Sequence, residues 1–416
     1  MISPRSSREN RENRTVRPGQ DGFTLIELIV ALGVTTIVML GILFLFDFNN
    51  RLTRVQTNVS DMQQSLRIAQ YDMVRMVRMA GRGGLNALQG IVIARDVEDG
   101  TRLIDGVPDS PEVLEGTDVL TLRGVFTTPV YQIAYTNTAS FHLDEDADPA
   151  NFTGSGYVDI CKLSPSGAEQ DLDVLIQTER LRKPEVLVLV SPLDDRFYVA
   201  VELDPNTTSD TTIDTPTSCP TAEGIRVGFN ILNTYRALSA PPAQALVAFS
   251  KVGYVGFLEE YRFYVREDHS VAGNLDSDLM PVLSRARFYP GTDNPYGGAD
   301  DLRQDISDGI LDLQISEGFD TNGDGALVEN VAEPDTDEWL GNADDEPAIN
   351  GRLKALRITT LARTNRMDHD YRAENLTAVE DHPYTLADDD RVNGKQARMY
   401  RRRILQTIVN VRNLTS

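Results

Sequence analysis

Apolar and polar positions follow two different rules near the start of this chain. From Phe23 to Phe46, apolar and small residues run together with a single charge, Glu27. At about 1.5 Å of rise per residue, such a run spans roughly 36 Å as a helix, enough to cross a bilayer. Further on the pattern becomes periodic. Leu52, Val55, Val59, Met62, Leu66, Ala69, Met73, Met76 and Ala80 recur in steps of three and four. The other faces carry Arg51, Arg54, Asp61, Gln64, Arg67 and Asp72, which makes an amphipathic stripe. The pattern predicts one helix from about Phe23 to Ala80, stopped by Gly81, Gly83 and Gly84. The stripe is expected to pack mainly on the protein's own head.

Beyond Gly84 the signals are short strands and turns. Val119–Val125, Val186–Val190, Phe197–Leu203, Glu260–Val265, Ile310–Ile315, Leu356–Ala362 and Ile404–Val411 have strand composition. In the last of these, Leu405, Thr407, Val409 and Val411 form the more apolar face, as in a half-buried antiparallel strand. Polar loops are expected at Thr207–Thr217, Asp268–Ser277 and Pro290–Asp301. The expected fold is α+β: one long N-terminal helix packed on a mainly antiparallel β-sheet head.

Glu27 changes the reading of the apolar run. A carboxylate at the centre of a membrane span costs on the order of 3 kcal/mol, so this one lies near the headgroups or has a task. The residues before the run also matter. Met1 to Gly22 carries five Arg and three acids and no apolar stretch. In an ordinary secretory signal the small-residue cleavage site follows the apolar core. Here the small residue, Gly22, precedes it, and cutting there would leave the helix on the mature chain.

Gly22-Phe23-Thr24-Leu25-Ile26-Glu27-Leu28 resembles the cleavage signal of type IV pilins and type II secretion pseudopilins. The resemblance implies that a prepilin peptidase cuts after Gly22 and that Phe23 becomes the methylated N-terminus. It also implies that Glu27 offsets the positive N-terminus of a neighbouring subunit. Four further segments resemble PilW-type minor pilins: MVRMAGRGG at 76–84, GTDVLTLRG at 116–124, DGILDLQI at 308–315 and RRRILQTIVNVRN at 401–413. A looser similarity extends to the J-type minor pseudopilin. Major pilins usually carry a proline where this chain has Phe44, a departure that fits a minor subunit. The expected organisation is a leader at 1–22, a transmembrane and filament-core helix at 23–46, an amphipathic helix at 47–80 and a β-rich head at 81–416. The basic leader places the head on the periplasmic or outer side of the inner membrane.

Composition narrows the remaining choices. A net charge of −23 argues against nucleic acid as a partner, because phosphate backbones need a basic surface. There are two cysteines, Cys161 and Cys219. In an extracytoplasmic head they are expected to form a disulfide, and two buried free thiols are the alternative.

The sharpest candidate chemistry in the head is Asp320-Thr321-Asn322-Gly323-Asp324-Gly325. Oxygen ligands at alternate residues followed by glycine match the start of an EF-hand-type calcium loop. Ala326 offers a backbone carbonyl, and Glu329, Glu333 or Asp335 could close the shell. The usual twelfth-position Glu is absent, since Val331 stands there. Glu317 to Glu346 holds eleven acids and no Lys or Arg, a repulsion that a structural Ca2+ would relieve. The alternative is a solvated acidic turn with Asx-type hydrogen bonds.

Catalysis has little support. His142, His269, His369 and His382 lie in no metal-ligand spacing. Neither a phosphate loop nor a nucleophile elbow occurs. Trp339 is expected as a core or loop anchor. Arg401, Arg402 and Arg403 are expected to balance nearby carboxylates. The expected function is that of a minor pilin which works with prepilin peptidase and other minor and major pilins in priming or tipping a type IV pilus. A type II secretion pseudopilin and a tip adhesin are the alternatives, with no enzyme among them.

Overall fold

The computed structural model describes residues 23–412 except 86, 99–102, 104–111, 134–139, 149–150, 163–171, 173–179, 193–196, 209–218, 220–223, 240–251, 267–279, 297–302, 330–337, 342–351, 375, 377, 381 and 384–396. Helix α1 spans Leu25–Met79. The strands are β1 Ile91–Ala94, β2 Val119–Gly124, β3 Tyr131–Gln132, β4 Phe141–Leu143, β5 Ser155–Cys161, β6 Val186–Val190, β7 Tyr198–Leu203, β8 Gly224–Asn230 and β9 Tyr254–Arg266. There follow β10 Val282–Phe288, β11 Arg303–Asp308, β12 Ile310–Asp320, β13 Trp339–Leu340, β14 Arg352–Arg363, β15 Ala378–Val379, β16 His382–Pro383 and β17 Arg402–Asn410. The chain divides into two compact units, Met1–Thr57 and Asn58–Ser416.

The first unit holds the apolar half of α1. Its start is capped by Thr24. Inside the run, the hydroxyls of Thr35 and Thr36 donate to the carbonyls of Ala31 and Leu32 at 2.7 and 2.8 Å, so neither is left unsatisfied in an apolar medium.

In the second unit α1 turns from exposed to buried. Met62, Leu66, Ala69, Met73, Met76 and Val77 are buried, whereas Leu52 in the first unit is 45% exposed. The expected stripe therefore packs only from about Val59 onward. Gly81, Gly83 and Gly84 end the helix with φ of 75°, 107° and 94°. L-residues with a Cβ rarely adopt these angles. The chain then turns onto the end of β2: the Gly81 N–H donates to the Arg123 carbonyl at 2.9 Å, and the Val125 N–H to the Arg82 carbonyl at 2.9 Å.

Two sheets share the core that receives this helix. The larger one has eleven strands with the path β1-β2-β9-β6-β7-β8-β5-β4, and β3, β10 and β11 branch from it. The smaller one runs β13-β12-β14-β17. Leu120, Leu122 and Phe263 of the first sheet and Leu313, Ile315, Leu356, Ile358 and Val409 of the second pack with the buried face of α1. Gln70 fixes the helix to the smaller sheet: its amide donates to the Leu405 carbonyl at 2.7 Å and its oxygen accepts from the Thr407 hydroxyl.

Strand β9 changes partners midway. Its first half pairs with β3 and β6, and its second half with β2 and β10. Glu259 and Glu260 stand at that change, both fully buried. Residues just after β2 leave the ladder, and the Glu259 carboxylate accepts their orphaned N–H groups, from Phe126 at 2.9 Å and Thr127 at 2.8 Å. Arg180 and Arg287 approach the other oxygen at 3.4 Å each. Both arginines also bind buried Glu185, and Arg180 does so with two 2.9 Å hydrogen bonds. Glu260 accepts from Arg123 at 2.6 Å, Arg262 at 2.8 Å and the Gly291 N–H at 2.8 Å. Buried ions paired this completely fill the branch point of the sheet.

Cys161, at the end of β5, is bonded to Cys219, across a sequence separation of 58. Closing a loop of that length restricts the unfolded chain by about 4 kcal/mol.

Candidate functional site

The residues that define the N-terminal site come from the first turn of α1. Glu27 accepts from the Thr24 N–H and the Thr24 hydroxyl, both at 3.0 Å, and its own N–H donates back to the Thr24 hydroxyl at 3.3 Å. This is a reciprocal capping box, with Thr at the N-cap and Glu three residues on. The Thr-x-x-Glu spacing is the sequence signal of this box, although the apolar run that follows hides it. Glu27 thus holds its own helix start as well as carrying a charge. Phe23 is 88% exposed, and every large apolar residue from Leu25 to Phe46 is at least 54% exposed. Gly22 lies outside the described residues.

In the second unit, four segments singled out in the sequence converge. The glycine turn at 81–84 meets the end of β2, as above. Asp118, one residue before β2, reaches the edge of β12: its N–H donates to the Leu313 carbonyl at 2.9 Å, and its carboxylate accepts from the Ile315 N–H at 2.7 Å. The Gln314 amide donates to the Gly116 carbonyl at 2.7 Å. Strand β17 closes the smaller sheet through β14. These segments therefore form the seam of α1 and the two sheets.

Asp118 makes that seam pH-dependent. Burial, offset in part by the N–H groups of Ile315 and Asp96, pushes its carboxyl up to about 7. The folded state then keeps a proton that the unfolded chain releases above about pH 4. Its contribution is full below pH 4 and is lost as pH rises to about 7, with a slope of up to about 1.4 kcal/mol per pH unit. Asp118→Asn is expected to remove that slope. Urea unfolding of both proteins at pH 4.5 and 7 measures it, and parallel slopes in the two proteins would contradict it.

The acidic loop follows β12. Asp320 accepts from the Gly323 N–H at 2.7 Å and the Gly325 N–H at 3.1 Å, Asn322 from Asp324 at 2.7 Å, and Asp324 from Ala326 at 2.7 Å. Gly323 and Gly325 have φ of 74° and 88°. Lys354 Nζ lies 3.2 Å from Asp320. Its ion pair and these N–H groups hold the Asp320 carboxyl below the usual range. Glu329 binds Arg357 at 2.8 Å. Among the described residues no three His, Cys, Asp or Glu side chains group closely enough to hold a metal. Glu333 and Asp335 lie outside the described residues.

The remaining candidates have structural surroundings. Trp339 is buried in β13, with the Arg357 guanidinium 4.8 Å above its ring. Arg401 binds Asp368 at 2.8 Å. His382 lies 3.1 Å from Asp312. His142 stacks on Tyr157 with ring centroids 5.1 Å apart. His369 is exposed, and His269 lies outside the described residues.

An exposed apolar helix with a capped, acid-bearing start, followed by an antiparallel head built against the helix's second half, fits a membrane-anchored, pilin-like protein. Residues 17–43 match the prokaryotic N-terminal methylation motif, and residues 262–413 match the family model of type IV pilus-assembly protein W. Together the two matches indicate a pilin-like protein of type IV pilus assembly, similar over residues 262–413 to pilus-assembly protein W. Searches of curated proteins and of solved structures return no match. Both family matches point to a structural, non-catalytic protein processed by prepilin peptidase and interacting with other pilins.

Proposed function

We propose that this chain is made as a prepilin, cut after Gly22, and held in the inner membrane by residues 23–46 with its head in the periplasm. It then joins minor and major pilins in a complex that primes or tips the pilus. The observation that supports this best is the joint match to the methylation motif and to pilus-assembly protein W on one chain. In this reading Phe23 is the methylated N-terminus and Glu27 faces the amine of a neighbouring subunit. The intact mass of protein from cells is expected to correspond to a chain starting at methylated Phe23. Gly22→Trp is expected to keep all 22 leader residues. An unprocessed wild-type chain would remove the proposal.

A structural calcium ion at Asp320, Asn322, Asp324 and the Ala326 carbonyl belongs to the same reading, with Glu329 or Glu333 closing the shell. Its support is the alternate spacing of hard oxygens followed by glycine. Lys354 competes for the first ligand, so Lys354→Ala is expected to tighten binding. Isothermal titration that gives no calcium heat, with an unchanged melting temperature, would exclude the ion.

A further inference from the structure

Strand β17 ends the smaller sheet, and among the described residues its outer edge pairs with no strand. Its register with β14 is unbroken over nine residue pairs. The Thr364 N–H donates to the Arg401 carbonyl at 2.9 Å, and the Val411 N–H to the Lys354 carbonyl at 3.0 Å. Residues that exchange hydrogen bonds alternate along an antiparallel pair. The odd-numbered residues of β17 therefore bond to β14, and the main-chain groups of Ile404, Gln406, Ile408 and Asn410 point outward along the edge.

Side chains of these even-numbered positions lie on the face opposite α1. The hairpin of β15 and β16 covers part of that face: Val379 packs with Leu311 and Leu361, and Glu380 accepts from Gln406 at 2.6 Å. Cover stops there. Ile404 and Ile408, on either side of Gln406, are 41% and 56% exposed. Strands that end a sheet are normally protected by proline, a bulge or an inward-pointing charge. Along Ile404–Asn410 the sequence has no proline and no charge, and the register has no bulge.

We propose that β17 receives an extended segment of another polypeptide, which adds as a fifth strand through main-chain hydrogen bonds and covers Ile404 and Ile408. The segment is apolar opposite Ile404 and Ile408 and carries acids toward its two ends. The charge pattern selects the acids: Arg401 is held by Asp368, but Arg403 at one end of the bare edge and Arg412 beyond the other are exposed, and Ile404–Asn410 carries no acid, on a chain of net charge −23. Pairing with a second copy would bring Arg401–Arg403 of one chain near Arg412 of the other, which like charges oppose. The proposal rests on the assembly role only for its expectation that partners share the compartment of the head.

The test places p-benzoylphenylalanine at Ile404 in the full chain in cells, irradiates, and maps the adduct by mass spectrometry. The expected result is one dominant adduct on another polypeptide, within a segment that is apolar at its middle and carries at least two acids toward its ends. Ile408→Pro is expected to reduce it about tenfold, because the Ile408 N–H serves the edge and not β14. Should that variant melt early, Arg403→Glu serves instead, with a loss of about fivefold expected. Four results would overturn the proposal: an adduct on a second copy, a yield insensitive to both variants, a segment lacking acids, or no more adduct than at exposed Arg366. A missing adduct in cells whose pili still require this gene would reject the edge and leave the assembly role standing.

Discussion

Glu259→Ala is expected to destabilise the head by about 3–5 kcal/mol, the usual cost of removing one partner from a buried ion pair. The substitution leaves Arg180 and Arg287 short of a carboxylate, and it orphans the Phe126 and Thr127 N–H groups where β9 changes partners. Glu259→Gln keeps an acceptor and should lose less. Urea unfolding followed by circular dichroism and by the single Trp, Trp339, measures both. A loss below about 1 kcal/mol for Glu259→Ala would show that the branch point does not depend on this carboxylate.

Glu27→Val is expected to insert and be cleaved normally, yet to enter pili about tenfold less. Two effects are mixed in that variant. The capping box stabilises the helix start, since Glu27 binds Thr24 twice. The second effect is the proposed pairing with a neighbour's amine, which would fix subunit register in an apolar filament core. Thr24→Val separates the two, because it removes the cap hydroxyl and keeps the carboxylate. If pairing between subunits dominates, Thr24→Val enters pili nearly as well as wild type. Equal losses from both variants would assign the effect to helix capping alone.

Most of α1 was legible in the sequence because its signals are local. An unbroken apolar run and a three-four stripe need no knowledge of distant residues. The seven predicted strands likewise fall on β2, β6, β7, β9, β12, β14 and β17, with Val125, Phe197 and Val411 each one residue beyond the observed end. Strands β5, β8 and β10 were missed because Gly156, Gly228, Arg226 and Arg285 interrupt their apolar pattern, and their partners lie far away in sequence. Leu52 shows the limit of periodicity, which marks a face but not what covers it. The seam around Asp118 was not legible at all. It depends on Gln314 meeting Gly116, 198 residues apart, and on a lone acid finding the free edge of β12. The acidic loop was legible as a calcium loop or an Asx-type turn, and Asn322 and Asp324 make the hydrogen bonds of such turns. Its spacing alone could not reveal that Lys354, from β14, lies on Asp320.

The most direct measurement of the assembly role is a count of surface pili by electron microscopy in a gene deletion, complemented by wild type or by the uncleavable Gly22→Trp chain. The account predicts few or no pili in the deletion, restoration by wild type and none by the variant. Unchanged pili in the deletion would contradict it.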